Sequence, residues 1–455
     1  MRFSLQSLLV GACAALSLAA TAQTAQTPWI VKQQWVSAHE SFLASDALQG
    51  RKSATRDETI AAVYVASQFE SFGIKPAPGM NNSYLQTAVI PRPRLEGTGR
   101  LNVGGKAESA GLTLLISSGK PASGKLSVAS SDDPKDLGKE ELVLVKGTAP
   151  IRGWYAAAAR QGVQLLIIRD SEANRKTYAQ MGSQPRLMGE PTAGGKPGPT
   201  LLVVPEALFD QLAAKPGLEL SFEPPAVVQD KLITTNVIGH LQGTDPKAGT
   251  ILFSAHLDHL GMQADGVTIM HGANDNASGV TAVLEVARAL AAGEKPRRSI
   301  LFVCFGAEEI GLLGADYFAK NPPIPLTDII ANLEFEMIGA QDPKLPAKTL
   351  MMTGFERSDF GETMKARGFS ITADPYPEHK FFQRSDNYQL ALAGIVAHTV
   401  SGWATTPTYH KADDNIAHLD LPFMTAVIQS LIEPARWLAN TDYVPAWKPG
   451  GRPTR

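Results

Sequence analysis

The chain has 455 residues, of which 44% are hydrophobic, and it contains 42 lysine and arginine residues and 44 aspartate and glutamate residues. This length accommodates two or three domains of about 150 residues each, and the composition is that of a folded globular protein. The charge is nearly balanced and no basic block occurs, so the sequence indicates no binding of nucleic acid.

Residues 1–22 predict a secretory signal peptide. Arg2 precedes a short apolar segment rich in alanine and leucine, and Ala20–Ala22 supply a cleavage site of small residues. We expect cleavage after Ala22 and export to the periplasm or the medium. No other apolar segment is long enough to span a bilayer, so no stable membrane insertion is expected after cleavage. Lipoprotein processing at Cys13 is the alternative, which is disfavoured because the apolar segment continues past that residue.

Cys304 would be the one cysteine left after cleavage, so the sequence predicts no internal disulfide. It lies within the apolar run Ser299–Phe305, where a cysteine usually packs as a small hydrophobic side chain. We therefore assign it no chemistry. The sequence gives no indication of the oligomeric state.

The first half of the chain predicts a helix followed by a separate small domain. After a polar linker to about Pro28, apolar residues at helical spacing from Ile60 to Phe72 predict an amphipathic helix that ends at Gly73. Residues 95–230 are richer in glycine and proline and contain short apolar runs, which is typical of an α+β module. The predicted elements of this module are strands at Leu142–Val145, Leu165–Ile168 and Leu201–Val204, a helix at Trp154–Gln161 and a loop at Gly189–Pro199.

Apolar runs alternate with helical patterns from Asn236 onwards, which predicts an α/β domain with helices on the faces of a sheet. In open sheets of this kind, ligands bind beyond the carboxyl ends of the strands. The predicted strands are Val237–Leu241, Thr250–Ala255, Ser299–Phe305, Ile329–Phe335 and Gly394–Thr399, and the predicted helices are Ala277–Ala291, Leu312–Ala319 and Pro422–Leu438.

Polar residues follow these apolar runs. His256 ends one predicted strand, and Asp258 is suited to accept the second N–H of its imidazole, which would raise the basicity of His256 as a ligand. Asp275 precedes a predicted helix, where a capping role is the simpler interpretation. Glu308 and Glu309 follow another strand, and paired carboxylates with separate tasks suit metal-assisted hydrolysis.

Further candidates occur later in the chain. Glu334 and Glu336 flank Phe335 in an apolar run, and a buried charge is costly unless it is paired or bound to a metal. His410 lies in a turn-rich loop after the run that ends at Val400. The remaining histidines are interpreted as structural or surface residues: His240, His259, His271, His379, His398 and His418.

Taken together, these motifs resemble the M28 zinc aminopeptidases, in the subgroup that carries an inserted protease-associated (PA) domain. The resemblance covers essentially the whole chain after the signal peptide, in the family's order. The matching segments are Leu43–Arg51, His256–Asp258, Asp275–Gly279, Glu308–Gly314, Glu336–Gly339 and Tyr409–His410. It implies a zinc exopeptidase fold, with a mixed, mostly parallel sheet between helices and an inserted α+β domain. The implied domains are 29–94 with 231–440 for the peptidase, 95–230 for the insert and 441–455 for a tail.

The resemblance also implies the site and the reaction. Two zinc ions would share Asp275, with His256 and Glu336 completing one site and Glu309 and His410 the other. Glu308 would be the general base that acts on a water activated by the zinc ions, Asp258 would support His256, and Tyr409 would assist the oxyanion. The implied substrates are peptides with a free N-terminus, from which the N-terminal residue is released.

Two positions depart from the family pattern. Glu336 stands where the family usually has aspartate, so Glu334 remains a competitor for this ligand role. Asn387 stands where relatives often have histidine. This difference concerns the substrate pocket, so the sequence does not indicate which N-terminal residue is preferred. Two alternatives share the fold: a single-zinc acyltransferase like the glutaminyl cyclases, and a receptor-like ectodomain without catalysis. The complete set of five ligand residues argues against both.

Overall fold

The computed structural model describes residues 28–108, 110–138, 140–148, 150–172, 174–175, 186–187 and 198–454. The predicted signal peptide with Cys13, and most of the predicted loop Gly189–Pro199, lie outside these residues. Within the described ranges, no helix combines the length and the apolar character needed to cross a membrane.

The strands of the described residues fall into two large sheets and one short hairpin. In chain order they are β1 (Lys75–Pro76), β2 (Leu85–Glu96), β3 (Arg100–Val103), β4 (Lys106–Glu108), β5 (Thr113–Ser117), β6 (Ala122–Ala129), β7 (Leu142–Val145), β8 (Leu165–Arg169), β9 (Arg186–Leu187), β10 (Thr200–Val204), β11 (Glu219–Glu223), β12 (Ala226–Leu241), β13 (Thr250–His256), β14 (Gly261–Met262), β15 (Ile269–Met270), β16 (Ser299–Phe305), β17 (Ile329–Phe335), β18 (Leu350–Met352), β19 (Ile371–Ala373) and β20 (Val396–Ser401).

The α-helices with bounds inside the described ranges pack beside these strands. They are α1 (Gln33–Leu43), α2 (Arg56–Ser71), α3 (Ile151–Gln161), α4 (Glu206–Ala213), α5 (Ser278–Ala291), α6 (Leu313–Lys320), α7 (Phe360–Ala366), α8 (Asn387–Ala393) and α9 (Leu421–Asn440). The strongly periodic runs of the sequence correspond to these elements, and β7, β16 and β17 have the predicted bounds.

The first sheet is mixed and has the order β1-β12-β16-β13-β17-β20-β18-β19, with β2 paired to β12. Its centre is parallel, since β13 pairs with β16 and β17, and β17 pairs with β20, in that sense. β12 and β18 run antiparallel to their neighbours β16 and β20. The parallel strands therefore end at one edge, where a ligand site is expected.

Helices pack on both faces of this sheet. Phe253 and Phe302 contact the hydrophobic cluster that contains α1, α2, α5 and α9, whereas Leu252 and Leu301 contact the cluster that contains α6 and α8. Successive residues of β13 and β16 thus point to opposite faces, which explains why both strands are apolar throughout. The predicted α/β fold class is confirmed.

The second sheet has the order β4-β3-β11-β6-β7-β8-β10-β5-β9 and contains the strands between β2 and β12. Its faces pack into two hydrophobic clusters of their own, with α4 in one and α3 in the other. β2 and β12 form a long antiparallel ribbon that runs from Glu96 paired with Ala226 to Leu85 paired with Val237. This ribbon joins the two parts of the chain.

The C-terminal residues 441–454 lie against the part of the molecule that contains the first sheet and its helices. The Tyr443 hydroxyl donates to Asp359, 2.9 Å away, and the Trp447 indole donates to the Gly394 carbonyl, 3.3 Å away. Trp447 also packs against the α8 cluster. The predicted tail therefore packs on the same part of the molecule as α7 and α8.

Candidate metal centre

The predicted ligands meet where the parallel strands end. His256 is the last residue of β13, Glu309 lies in the loop after β16, and Glu336 follows β17 directly. Asp275 lies in the helical turn Ala273–Ala277 that leads into α5, and His410 lies in the loop after β20. Residues separated by up to 154 positions in the sequence numbering (256 to 410) are thus brought together by the sheet.

Asp275 occupies the centre of this group. Its Oδ1 lies 3.2 Å from His256 Nε2, and its Oδ2 lies 3.2 Å from His410 Nε2, which is 3.3 Å from Glu309 Oε2. Ligand atoms of His256, Asp275 and Glu336 all lie within 4.8 Å of one another. Asp275 therefore presents one carboxylate oxygen to each of two ligand groups.

These distances fit metal ions. Neighbouring ligand atoms of a tetrahedral zinc site lie about 3.3–3.6 Å apart when the zinc–ligand bonds are about 2.0–2.2 Å long. The imidazole Nε2 of His256 is buried and has no hydrogen-bond partner among the described residues, although it points toward a carboxylate. Nitrogen and carboxylate donors are the set that zinc prefers at catalytic sites. The chain's residues therefore fit zinc at both groups.

The electrostatics favour cations at the same place. Burial acts to raise the pKa of Asp275, but contacts from His256 and His410 lower it well below the usual value. Burial acts to lower the pKa of His410, but Asp275 and Glu309 raise it to about 10. Without a metal, the histidines thus hold protons to balance the carboxylates. A metal ion would displace those protons.

Glu308 and Glu336 are both half-buried, yet only Glu336 lies in a ligand group. Burial raises the pKa of Glu336 to about 7 and that of Glu308 well above its usual value, with His256 acting in the opposite direction in each case. Glu334, the competitor for the ligand role, is fully buried on β17, where the Ser254 hydroxyl lies 3.4 Å from its Oε2. The geometry thus favours Glu336 over Glu334.

Asp258 lies beside the site but does not make the expected contact. The Nδ1 of His256 lies 3.1 Å from the backbone carbonyl of Asp258 and 4.0 Å from the carboxylate Oδ1. That carboxylate instead accepts hydrogen bonds from the amides of Glu308, at 3.0 Å, and Glu309, at 3.3 Å, and from the Ser53 hydroxyl. The backbone carbonyl fixes the tautomer of His256, and the carboxylate holds the loop of the two glutamates.

The turn around Asp275 is tied to the segment that follows Glu336. The amides of Met337, Ile338 and Gly339 donate to the side chains of Asn276, Ser278 and Asn274, respectively, at 3.1, 3.0 and 2.8 Å. These polar residues therefore act on the backbone and hold two ligands in register. They explain why two motifs that are distant in sequence are both rich in small and polar residues.

Two residues at the site were not identified from the sequence. Asp414 accepts hydrogen bonds from the amides of Asn274, at 2.8 Å, and Asp275, at 3.0 Å, and so ties the loop of His410 to the central aspartate. His259, which was interpreted as a structural or surface histidine, is fully buried, and its Nδ1 lies 2.8 Å from Glu309 Oε1. A second histidine three positions after His256 was the available signal for this contact.

Residues of the N-terminal segment form hydrogen bonds with the segments that carry the ligands. The buried guanidinium of Arg51 donates to the carbonyls of Leu257, at 3.0 Å, His271, at 2.7 Å, and Gly272, at 2.8 Å, and also to that of Leu43. The carbonyls of Leu257, His271 and Gly272 belong to the segments that carry His256 and Asp275. The Glu58 carboxylate accepts from the Ala307 amide, 3.0 Å away, next to Glu308.

A small cavity that is open to solvent lies against the group. Its walls include the carboxylates Glu308, Glu309 and Glu336, and the apolar side chains of Met351 and Phe381. The ring of Tyr409 also lines the cavity and stacks on His410, with ring centroids 3.9 Å apart. The Tyr409 hydroxyl lies 3.5 Å from an Arg384 nitrogen at the same cavity. A molecule in this cavity would contact the ligand groups directly.

Two solved structures that share the fold are aminopeptidases by name. The aminopeptidase from Aneurinibacillus sp. strain AM-1 is 19% identical, with a TM-score of 0.56 over 93% of this chain and 98% of that one. The zinc aminopeptidase BSAP from Bacillus subtilis is 20% identical, with a TM-score of 0.55 over 90% and 96% of the two chains. At these identities the likeness establishes the fold.

Sequence comparison gives a related result. Residues 236–433 match the family model described as "Peptidase family M28". Leupeptin-inactivating enzyme 1 of Streptomyces exfoliatus is 39% identical over 110 residues, 24% of this chain and 23% of that protein. A vacuolar membrane protease of Candida dubliniensis is 24% identical over 227 residues, 49% of this chain. This chain covers 23% of the length of each of these two relatives.

Proposed function

We propose that the protein is a zinc-dependent aminopeptidase that binds two metal ions. The observation that carries the proposal is the shared position of Asp275, whose Oδ1 lies 3.2 Å from His256 Nε2 and whose Oδ2 lies 3.2 Å from His410 Nε2. His256 and Glu336 would complete one zinc site, and Glu309 and His410 the other. The match of residues 236–433 to peptidase family M28 supports the same reaction class.

In the proposed reaction, different residues of the chain have different roles. Zinc at these groups would supply Lewis-acid polarisation of the scissile carbonyl and lower the pKa of water. The carboxylate of Glu308 lines the cavity beside the ligands, in a position to accept a proton from water and return it to the departing amine. Its raised pKa, caused by burial, suits a carboxyl group that must hold a proton during turnover.

Tyr409 contributes a hydrogen-bond donor. Burial, with Asp275 and Glu309 nearby, raises the pKa of its phenol, so the hydroxyl stays protonated at neutral pH. A neutral hydroxyl at the cavity wall would stabilise negative charge that develops on the carbonyl oxygen. The stacking of its ring on His410 fixes the direction of the phenol.

The cavity also suits a free N-terminus. Its carboxylates are concentrated on the side of the ligand groups, where they would attract an ammonium group, and its apolar side chains would contact the side chain of the N-terminal residue. We therefore propose peptides with a free α-amine as substrates. We also propose that the chain is exported, with residues 1–22 removed as a signal peptide.

A panel of matched peptide amides, with free and N-acetylated α-amines, tests this function. We expect hydrolysis of the free peptides with release of the first residue, and no hydrolysis of the acetylated ones. Activity should disappear after dialysis against a chelator and return with zinc. Equal cleavage of free and blocked peptides would refute the aminopeptidase assignment. Cyclisation of N-terminal glutamine without hydrolysis would instead support the single-zinc acyltransferase.

A further inference from the structure

His259 is a buried residue at the ligand group of Glu309 that the proposed reaction does not use. It follows β13 in the segment that also carries Asp258, and its amide donates to the Arg51 carbonyl, 3.0 Å away. Its ring packs against Gly272 so closely that a Cβ there would lie 2.5 Å from the imidazole Cγ. Gly272 has a φ of 62°, which also favours glycine. The ring is therefore held in one place.

The contacts of this ring are directed at one carboxylate. The Nδ1 of His259 lies 2.8 Å from Glu309 Oε1, whereas Glu309 Oε2 lies 3.3 Å from His410 Nε2. The two oxygens of Glu309 thus have different neighbours. One oxygen is bound by an imidazole N–H, and the other faces the position shared by Asp275 and His410.

Two roles are compatible with a histidine at this place: a metal ligand or a hydrogen-bond donor. The Nδ1 lies within 4.8 Å of ligand atoms of both Asp275 and Glu309, which is close enough for coordination of a shared metal ion. However, 2.8 Å to Glu309 is a hydrogen-bond distance, and 3.8 Å to Asp275 Oδ2 exceeds the roughly 3.3–3.6 Å between neighbouring tetrahedral zinc ligands. The distances from His410 to the same two carboxylates fit that range much better.

We propose that His259 is a positioning residue for the second metal site: its Nδ1–H binds Glu309 Oε1 and leaves Oε2 as the single oxygen that Glu309 offers to the metal. This inference rests on the proposed two-metal function. Hydrogen bonds to a ligating carboxylate fix its orientation, and their loss typically lowers metal affinity about 10- to 100-fold. His259 should therefore set the affinity of the site formed by Glu309 and His410, and not that of the site formed by His256 and Glu336.

Zinc affinity, measured by competition with a chromogenic chelator on the full chain, tests this role. His259→Leu should bind one of two zinc ions about 10- to 100-fold more weakly than the unaltered chain. His259→Asn, whose amide N–H can take the place of Nδ1–H, should recover most of that affinity. His240→Leu is the matched control, because His240 lies on β12 away from the ligands, and it should change neither zinc site.

Combining His259→Leu with a second substitution shows which of the two metal sites it weakens. With His256→Ala, which disables the first site, adding His259→Leu should still weaken the remaining zinc. With His410→Ala, which disables the second site, adding His259→Leu should leave the remaining zinc unchanged. A histidine with a purely structural role would lower the unfolding temperature and weaken zinc binding equally in both backgrounds, which would overturn the proposal.

X-ray absorption at the zinc edge separates positioning from coordination. The proposal predicts the same average number of imidazole ligands per zinc in the fully loaded chain and in fully loaded His259→Leu. A lower number in the variant would show that His259 is itself a ligand and would contradict the proposal. Unchanged zinc affinity in a folded His259→Leu would refute the inference alone, whereas a chain that binds no zinc would refute the proposed function with it.

Discussion

Glu308 and Glu309 are neighbours in the chain but have different environments. For Glu309, burial and Asp275 act to raise the pKa, but hydrogen bonds with His259 and His410 lower it, so it stays ionised. For Glu308, burial raises the pKa well above the usual value, with His256 opposing this effect. Environments that move two pKa values apart assign separate roles to two carboxyl groups. The apolar pattern of the sequence could indicate the pair, whereas the separate roles of Glu308 and Glu309 came from the resemblance to the M28 family.

Replacing Glu308 with glutamine separates catalysis from metal binding. Glu308→Gln keeps the size of the side chain and removes its capacity to accept a proton. We expect kcat to fall about 100-fold or more, which is the usual contribution of a general base, with zinc content unchanged. Steady-state kinetics and metal analysis on the same sample check both points. Turnover within a few-fold of the unaltered chain would contradict the assignment of Glu308.

His398 is also buried, but its burial affects the stability of the fold and not the metal site. Its ring lies on β20 between the Thr353 carbonyl, 3.0 Å from Nδ1, and the Ser358 hydroxyl, 2.7 Å from Nε2, so its neutral form is fully hydrogen-bonded. Burial lowers its pKa from 6.5 to about 4. The unfolded chain therefore binds more protons between these pH values, and stability must fall as the pH drops from 6.5 to 4.

The expected contribution of His398 is roughly 3 kcal/mol of unfolding free energy over that pH range. His398→Asn keeps an N–H that can donate to Thr353 and does not titrate. Its unfolding free energy should depend less steeply on pH between 6.5 and 4 than that of the unaltered chain. Denaturant titrations at several pH values measure the two slopes, and equal slopes would show that His398 stays uncharged in both states or charges in both.

At the scale of elements, the loops after β13, β16 and β17 are arranged by hydrogen bonds from other segments. The apolar runs of β16 and β17 gave their bounds directly, because a strand buried on both faces needs an unbroken apolar sequence. The antiparallel ribbon of β2 with β12 could not be predicted in this way, since β2 is largely exposed and carries arginine and proline. β2 forms because it pairs with β12, which lies more than a hundred residues further along the chain.

Arg51 shows the same limit for a single contact. Its guanidinium joins the segments of His256 and Asp275 from about 200 residues away in sequence, and no periodic pattern indicates that arginine 51 is buried. The turn in which it occurs was recognised by its resemblance to the family's N-terminal segment. The hydrogen bonds that give that segment its role become visible in the folded chain.

Arg51→Lys should destabilise the protein. A lysine keeps the charge but cannot donate to all the carbonyls that the planar guanidinium reaches, and each buried carbonyl left without a donor costs about 1–3 kcal/mol. We expect a loss of roughly 2–4 kcal/mol in the unfolding free energy of the metal-free protein. Denaturant titration checks this, with Arg56→Lys as control, because the side chain of Arg56 is 84% exposed. Equal stability of the two variants would contradict the role of Arg51.

At the scale of the molecule, the described residues form two large sheets, each with its own hydrophobic clusters, and one short hairpin. The division into a peptidase domain at 29–94 and 231–440 and a PA-like insert at 95–230 remains a prediction, which these separate clusters support. The ribbon of β2 and β12 extends past both predicted boundaries, since its pairing continues to Glu96 and Ala226. The ligand groups lie in the part of the molecule that contains the first sheet, and all five ligand residues fall within the range 236–433 that matches the family.

The number and position of the metal ions test the central claim most directly. Anomalous X-ray diffraction from crystals of the zinc-loaded chain, recorded at the zinc absorption edge, locates each ion. We predict two peaks about 3.5–4 Å apart, one on each side of the Asp275 carboxylate, with His256 and Glu336 at one and Glu309 and His410 at the other. A single peak, or two peaks that do not share Asp275, would contradict this arrangement.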